Sequence, residues 1–204
     1  MFNRIRNNSF IKILTFSDVI VLSGWGLVNP LFAVFVTKQI KGGTVELVGL
    51  ATCLYWILRA SLQIPFARFI DKHKGEVDDF VIMAAGSFLM SATPFFYALI
   101  SKPWQVLLLQ AIIGFASAMV SPGWLAIFTR HVDKNLEAQS WGLYNALVGY
   151  SIALSGALSG FMVNRFGFRI LYFIVGIVCT FGSSFLLLVY KELRQEEKSF
   201  FLQK

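Results

Sequence analysis

The chain has 204 residues, of which 56% are hydrophobic, 16% aromatic and only 14% charged. Soluble domains carry about 25% charged residues, so this composition excludes an ordinary soluble domain and predicts an integral membrane protein. The formal net charge of +7 is then attributed to basic residues that meet anionic lipid headgroups at the bilayer surface, and nucleic acid is not an expected partner.

Six apolar runs are long enough to cross about 30 Å of hydrocarbon as α-helices, which takes roughly 20 residues. In chain order they cover residues 13–36, 46–69, 80–100, 104–129, 140–163 and 169–190. The runs are continuously apolar and do not alternate with polar residues, which favours helices over barrel strands. The predicted fold is therefore an all-α integral membrane protein, with residues 1–204 forming a single six-helix transmembrane domain.

Short polar segments connect the predicted spans. Their sequences are TKQIKGGT, DKHKGEVDD, SKP, RHVDKNLEA and NRFGF. Four prolines lie inside the spans, where a packed membrane helix can accommodate a kink. They are Pro30, Pro65, Pro94 and Pro122.

The basic residues predict the orientation of the chain. With the N-terminus inside, the inner segments hold 12 of the 18 Lys and Arg residues and the outer connections hold 5. Because basic residues are enriched in cytoplasmic segments, residues 1–12 and 191–204 are both predicted to be cytoplasmic. We accordingly expect a multi-pass protein of the cell membrane. The remaining basic residue, Arg59, lies inside the second span.

Several other classes of membrane protein leave no pattern in this sequence. HExxH, GxSxG and paired carboxylates inside the spans, which would indicate an intramembrane enzyme, are not found. Cys53 and Cys179 lie alone in separate spans, so no disulfide or metal site is implied. We expect no catalytic residues, no metal and no cofactor. A channel and a membrane scaffold without transport activity stay open as alternatives.

An internal repeat relates the first three spans to the last three. The matched segments are NPLFAVFVTK at 29–38 with SPGWLAIFTR at 121–130, a shift of 92, and Asp71-Lys72 with Asn164-Arg165, a shift of 93. Because three spans separate the copies, they would cross the membrane in opposite directions. The pattern predicts an inverted 3+3 repeat, the kind of symmetry that lets a central site open to either side of the membrane.

A charged segment after the second span, ARFIDKHKGE, is followed by a second copy, GFMVNRFGFR, after the fifth. The first copy is similar to the signature G-x-x-x-D-R/K-x-G-R-K of the major facilitator superfamily of transporters. Asp71 and Lys72 match, Ala67 replaces the first glycine and Gly75 comes one residue late. Over essentially its whole length, the chain resembles one six-helix half of such a transporter, the N-terminal half.

The resemblance implies a cytoplasmic gate, because the signature forms an ion-paired latch in this family. Its predicted members here are Asp71, Lys72, Arg68 and Lys74. The alternative is that these charges only anchor the cytoplasmic end of the second helix. In the fourth span, Gln110 stands where the family often has an arginine, which is a departure from the pattern used for proton coupling.

Polar residues inside the spans predict a substrate pathway. Arg59 is the most informative, since a charge at the bilayer centre costs about 2.5–3.5 kcal/mol. It is interpreted as a cation that meets an anionic group, and the alternative is a structural brace. The complete predicted pathway set is Arg59, Gln63, Tyr55, Asp18, Trp25, Asn29, Gln110 and Asn145. The first, second, fourth and fifth spans would line the pathway, with the third and sixth facing lipid.

The resemblance implies a secondary active transporter that moves a small solute by alternating access. Since the usual form has twelve helices in two halves, we expect a second six-helix chain as partner, most simply in a homodimer. A non-transporting six-helix scaffold and a fragment of a longer transporter are the alternatives.

Overall fold

The computed structural model describes residues 9–72, 76–132, 134–188 and 190, and the regular elements in these ranges are all helical. The elements are α1 (Ser9–Val28), a 3-10 turn (Asn29–Leu31), α2 (Phe32–Gln39), α3 (Val45–Lys72), α4 (Glu76–Tyr97), α5 (Pro103–His131) and α6 (Glu137–Ser184). Pro30 lies in the 3-10 turn that separates α1 from α2, in line with the kink expected there. Pro65, Pro94 and Pro122 lie within continuous helices.

Five stretches of the described chain are long and apolar enough to cross a membrane. They are Ile11–Gln39, Val45–Lys72, Glu76–Tyr97, Pro103–His131 and Glu137–Leu188. The predicted all-helical membrane architecture is confirmed at this level. The count of six spans and the inverted repeat stay predictions.

The fifth and sixth predicted spans belong to one helix, α6, which has 48 residues. A straight helix of that length would measure about 72 Å, more than twice the hydrocarbon thickness of about 30 Å. Gly167 interrupts it with φ 78° and ψ 166°, a backbone conformation that only glycine adopts at little cost. We call residues 137–166 the first arm and residues 168–184 the second arm. The five-residue polar connection predicted at NRFGF is wrong in extent, because one glycine suffices to break the helix.

Both arms of α6 pack against α1. A Cβ atom added at Gly26 would lie 3.0 Å from Ser155 Cβ in the first arm, and one added at Gly24 would lie 2.7 Å from Cys179 Sγ in the second arm. Farther along the second arm, Ser17 Oγ donates a hydrogen bond to the Gly182 carbonyl at 2.8 Å. The second arm therefore runs back beside α1, and glycines permit this close approach.

Two clusters of buried residues hold the two ends of the helix bundle. One contains Val36, Tyr97 and Tyr172, near the loop contact in which Lys41 N donates to Ser101 O at 3.0 Å. The other contains Phe80 and Phe128, near the starts of α1 and α4 and the end of α5. We call these the Lys41 end and the Phe80 end.

The helices differ greatly in burial. Within the most apolar 18-residue stretch of α3, 11% of the residues are buried inside the protein, compared with 50% in the corresponding stretch of α5. Large apolar side chains such as Ile57 on α3 and Leu154 on the first arm are 57% and 69% exposed. These surfaces suit lipid or another membrane helix and would be unfavourable in water.

Candidate functional site

A cavity of about 390 Å³ lies among the helices. Its lining comes from α1, the 3-10 turn and every later helix, and consists of Leu22, Trp25, Val28, Asn29, Phe32, Thr52, Tyr55, Trp56, Met90, Tyr97, Gln110, Ile113, Ser117 and Tyr172. Four of the eight predicted pathway residues therefore line one cavity: Trp25, Asn29, Tyr55 and Gln110. None of the described residues that line it is charged.

Arg59 is joined to the wall of this cavity by hydrogen bonds. Its Nη1 donates to Tyr55 Oη at 2.9 Å, and its Nη2 donates to Ser121 Oγ at 3.2 Å. Tyr55 Oη is in turn 3.5 Å from Ser117 Oγ, so the network ties α3 to α5. The guanidinium carbon also lies 5.1 Å from the centroid of the Trp56 ring, within the range of a cation–π contact.

The partners of Arg59 leave its charge without a counter-ion. Tyr55, Ser121 and Trp56 are neutral, and no acidic side chain among the described residues forms an ion pair with the guanidinium. A guanidinium has five N–H donors, of which two are engaged here. The site can therefore offer a positive charge and further hydrogen-bond donors to a bound anion.

Other polar groups face the same space. The indole Nε1 of Trp25 is buried and has no hydrogen-bond partner among the described residues. Gln110 lines the cavity together with Tyr97, whose buried hydroxyl has no hydrogen-bond partner among the described residues and whose ring stacks on Tyr172 with centroids 5.1 Å apart. The cavity thus combines the indole N–H donor of Trp25 on α1 with the amide of Gln110 on α5. The rings of Tyr97 and Tyr172 form an aromatic part of its wall.

Met90, Tyr97 and Tyr172 were not identified from the sequence. They belong to α4 and to the second arm of α6, which correspond to the third and sixth spans and were expected to face lipid. Tyr97 and Tyr172 are each 2% exposed. Their apolar sequence context carries no signal that would distinguish a cavity wall from a lipid-facing surface, although an aromatic hydroxyl in a span is a modest indication of a polar neighbour.

The remaining predicted pathway residues are not among the cavity-lining residues. Asp18 on α1 accepts a hydrogen bond from the Tyr144 hydroxyl on the first arm of α6, next to an aromatic cluster that includes Trp124. Gln63 is partly buried on α3, and Asn145 is exposed on the first arm. The structure therefore does not bring these three side chains together with Trp25 and Gln110.

The predicted gate residues lie at the end of α3. Arg68, Asp71 and Lys72 are exposed, and no ion pair joins them to another described residue. Lys74 falls outside the described residues. Their role as a gate stays a prediction.

An ion-pair cluster that the sequence analysis missed lies at the Phe80 end. Arg130 Nη1 on α5 is 2.6 Å from Asp79 Oδ2 and 3.9 Å from Glu76 Oε1, both on α4. His131 Nε2 is 3.6 Å from Glu76 Oε2. The sequence does show adjacent acidic residues in EVDD and a basic pair in TRH. It does not show that these two segments pair, because Asp79 and Arg130 are 51 positions apart.

Comparison with known proteins identifies one family over almost the whole chain, the family that the sequence signature resembles. Residues 14–203 match the family profile described as Major Facilitator Superfamily. The chain is 23% identical over 143 residues to the "Proton-coupled antiporter flippase LtaA" of Staphylococcus epidermidis, which covers 67% of this chain and 34% of that protein. It is 22% identical over 162 residues to the "Inner membrane transport protein YajR" of Escherichia coli K12, covering 78% of this chain and 34% of that protein.

The chain thus spans about a third of the length of these curated relatives. The profile match nevertheless covers far more than half of the residues, and the helical membrane architecture agrees with it. This chain belongs to the major facilitator superfamily of membrane transporters.

Proposed function

We propose that the chain is the substrate-binding half of a secondary active transporter, which moves a small solute by alternating access. The observation that carries the proposal is the position of Arg59, a cation that forms no ion pair with any described residue and is hydrogen-bonded to the wall of the cavity. An uncompensated charge inside a membrane domain is costly. Such a charge is accounted for if the solute supplies the compensating charge.

The chemistry around the cavity favours an anionic solute. Arg59 can hold a carboxylate or phosphate through two parallel hydrogen bonds, and hydrogen bonds to Tyr55 and Ser121 hold its two terminal nitrogens in place. Trp25 Nε1 on α1 and Gln110 on α5 add further hydrogen-bonding groups around the cavity. The volume of about 390 Å³ lies near the lower limit of ligand pockets, which span about 300–1,000 Å³. A small organic anion fits these properties.

Alternating access requires that the two ends of the bundle open in turn. We propose six membrane crossings, with the α6 helix crossing twice through its two arms, and both termini in the cytoplasm. In this arrangement the Phe80 end faces the cytoplasm. The ion pairs of Arg130 with Asp79 and Glu76 would close α4 against α5 at that end, beside the predicted gate residues Asp71 and Lys72.

A second six-helix unit would complete the transporter. The first arm of α6 carries small residues at spacings of three and four, which place them along one face of the helix. They are Gly142, Ala146, Gly149, Ala153 and Ala157, and all are exposed. Such a seam allows another helix to approach closely, and α3 presents a second largely exposed face. A parallel homodimer would place the same two faces opposite their copies.

Counterflow in liposomes tests the proposal. Purified chain is reconstituted and loaded with each member of a panel of small carboxylates, phosphate esters and their neutral analogues, and uptake of the labelled compound is followed against protein-free liposomes. The proposal predicts counterflow for one or more anions and none for the matched neutral analogue. Folded protein that exchanges no member of the panel would favour the non-transporting scaffold. Our expectation that the chain is not an enzyme is tested by a separate activity assay.

A further inference from the structure

A second pocket lies at the Lys41 end, outside the cavity described above. It has a volume of about 440 Å³ and is lined by residues from α2, the 3-10 turn and both sides of the break at Gly167. Its polar groups are Lys38, Gln39, Asn164 and Arg169, and no acidic side chain is found among the described residues that line it. No ion pair joins Lys38 or Arg169 to another residue in the described part of the chain. Two cations therefore share one concave site.

The predicted internal repeat relates this pair of cations to an ion pair at the other end of the bundle. The shift of 92 that matches residues 29–38 with 121–130 places Lys38 on Arg130, and the shift of 93 places Glu76 on Arg169. At the Phe80 end, Arg130 and Glu76 form an ion pair with an N–O distance of 3.9 Å. At the Lys41 end, the corresponding two residues line one pocket but are both cationic. The counter-charge that Glu76 of α4 supplies at one end is supplied by no described residue at the other.

The rest of the lining indicates the class of ligand. Leu31 and Val34 form an apolar part of the pocket, and the cations lie at the ends of apolar helices, where a bilayer has its headgroups. An apolar floor next to two cations and two amides matches the junction between the acyl chains and the phosphate of a lipid. We propose that this pocket binds the phosphate group of an anionic phospholipid, with Lys38 and Arg169 as its ligands.

Native mass spectrometry from mild detergent tests this proposal. The protein is titrated with phosphatidylglycerol, with phosphatidylcholine of the same acyl chains, and with glycerol phosphate. We expect specific phosphatidylglycerol adducts and weaker binding of the other two compounds. Replacing Lys38 and Arg169 by glutamine should weaken phosphatidylglycerol binding by about fivefold for each cation, from the roughly 1 kcal/mol that a basic residue contributes near an anionic lipid surface.

A charge-matched control distinguishes lipid binding in the pocket from general electrostatic attraction of the lipid to basic surface residues. Lys41 and Lys102 are exposed at the same end and do not line the pocket, so the Lys41→Gln, Lys102→Gln protein should bind the lipid as the unaltered chain does. An equal loss of binding in this control would overturn the proposal. Glycerol phosphate binding as tightly as phosphatidylglycerol would also overturn it, by assigning the site to a free anion.

A second pair of variants tests the pocket without changing any charge. Gly160 lines the pocket, and a Cβ added there meets no atom within 4 Å, so Gly160→Leu should fill the space and reduce lipid binding. Ala85 on α4 is exposed and lies outside both the pocket and the seam of small residues, so Ala85→Leu serves as the control. Retained lipid binding in a folded Gly160→Leu protein would contradict the assigned site. These outcomes do not depend on transport activity.

Discussion

Arg130 Nη1 lies 2.6 Å from Asp79 Oδ2, in a contact where the Asp79 side chain is 1% exposed and that of Arg130 is 40% exposed. The second carboxylate oxygen of Asp79 has no hydrogen-bond partner among the described residues. The arginine is therefore the main compensation for a buried negative charge, and it links the start of α4 to the end of α5.

Removal of this arginine should destabilise the protein. Arg130→Gln leaves the buried Asp79 carboxylate without its cation, and the free energy of unfolding should fall by about 1–3 kcal/mol, the cost of an unsatisfied buried polar group. Thermal unfolding in detergent measures the change. The double variant Asp79→Asn, Arg130→Gln should recover part of the loss, whereas Lys134→Gln, an exposed lysine at the same end, should have little effect. A double variant no more stable than Arg130→Gln would contradict the assigned pair.

Glycine at position 114 should be required for the contact between α3 and α5. A Cβ there would lie 2.7 Å from the Tyr55 carbonyl oxygen, so Gly114→Ala forces the two helices apart. Overpacking of this kind costs about 1–3 kcal/mol, and it should also disturb the hydrogen bond from Arg59 to Tyr55. Thermal unfolding should show the loss in Gly114→Ala but not in Gly149→Ala, where the added Cβ meets no neighbour. Equal stability of the two variants would contradict the described packing.

Labelling of single cysteines should establish the number of crossings. The exposed native Cys53 is first replaced by serine, and the buried Cys179 is retained. A membrane-impermeant maleimide applied to intact cells should then label cysteines placed at Lys102 and Arg165, but not at Lys134. Labelling of Lys102→Cys without Arg165→Cys would show that the α6 helix does not cross twice. The reverse pattern at all three sites would invert the proposed orientation.

The seam of small residues should control assembly. Replacing Gly149 by leucine introduces a side chain where another helix would approach, and the fraction of two-chain particles in native mass spectra should fall. The same substitution should leave monomer stability unchanged or slightly higher, since glycine disfavours helix by about 1 kcal/mol. Leu154→Ala, an exposed apolar position on the same arm, provides a comparison off the seam. An unchanged dimer fraction in Gly149→Leu would remove the seam from the interface.

Helix positions were the most predictable feature, because continuous apolarity marks them directly. The predicted span 46–69 corresponds to Val45–Lys72, and 104–129 corresponds to Pro103–His131. The break in α6 was predictable in place but not in extent. Asn164 and Arg165 look like loop residues, yet they stay helical with exposed side chains, and Gly167 alone supplies the change of direction.

The site was predictable only in part, because periodicity identifies a polar stripe but not what it faces. Tyr55 and Arg59 do share a stripe and a hydrogen bond. Asp18 lies on α1 as Trp25 does, but it is engaged with Tyr144. Contacts between distant segments, such as Arg59 with Ser121, depend on how the helices pack. That packing is set by the whole set of apolar side chains and by close approaches at glycines, and no short motif records it.

Arg59 is the cation that meets the transported anion in the proposed mechanism, and transport per folded molecule tests this role directly. For a solute that the counterflow panel identifies, Arg59→Lys should raise the KM for uptake by about 10- to 100-fold, since a hydrogen bond to a charged group contributes about 1.5–3 kcal/mol. Lysine keeps the charge but loses the planar pair of donors. Arg59→Leu should abolish uptake while the amount of folded, membrane-inserted protein stays equal or rises. Unchanged uptake per folded Arg59→Leu molecule would contradict the role of Arg59 in binding the transported anion.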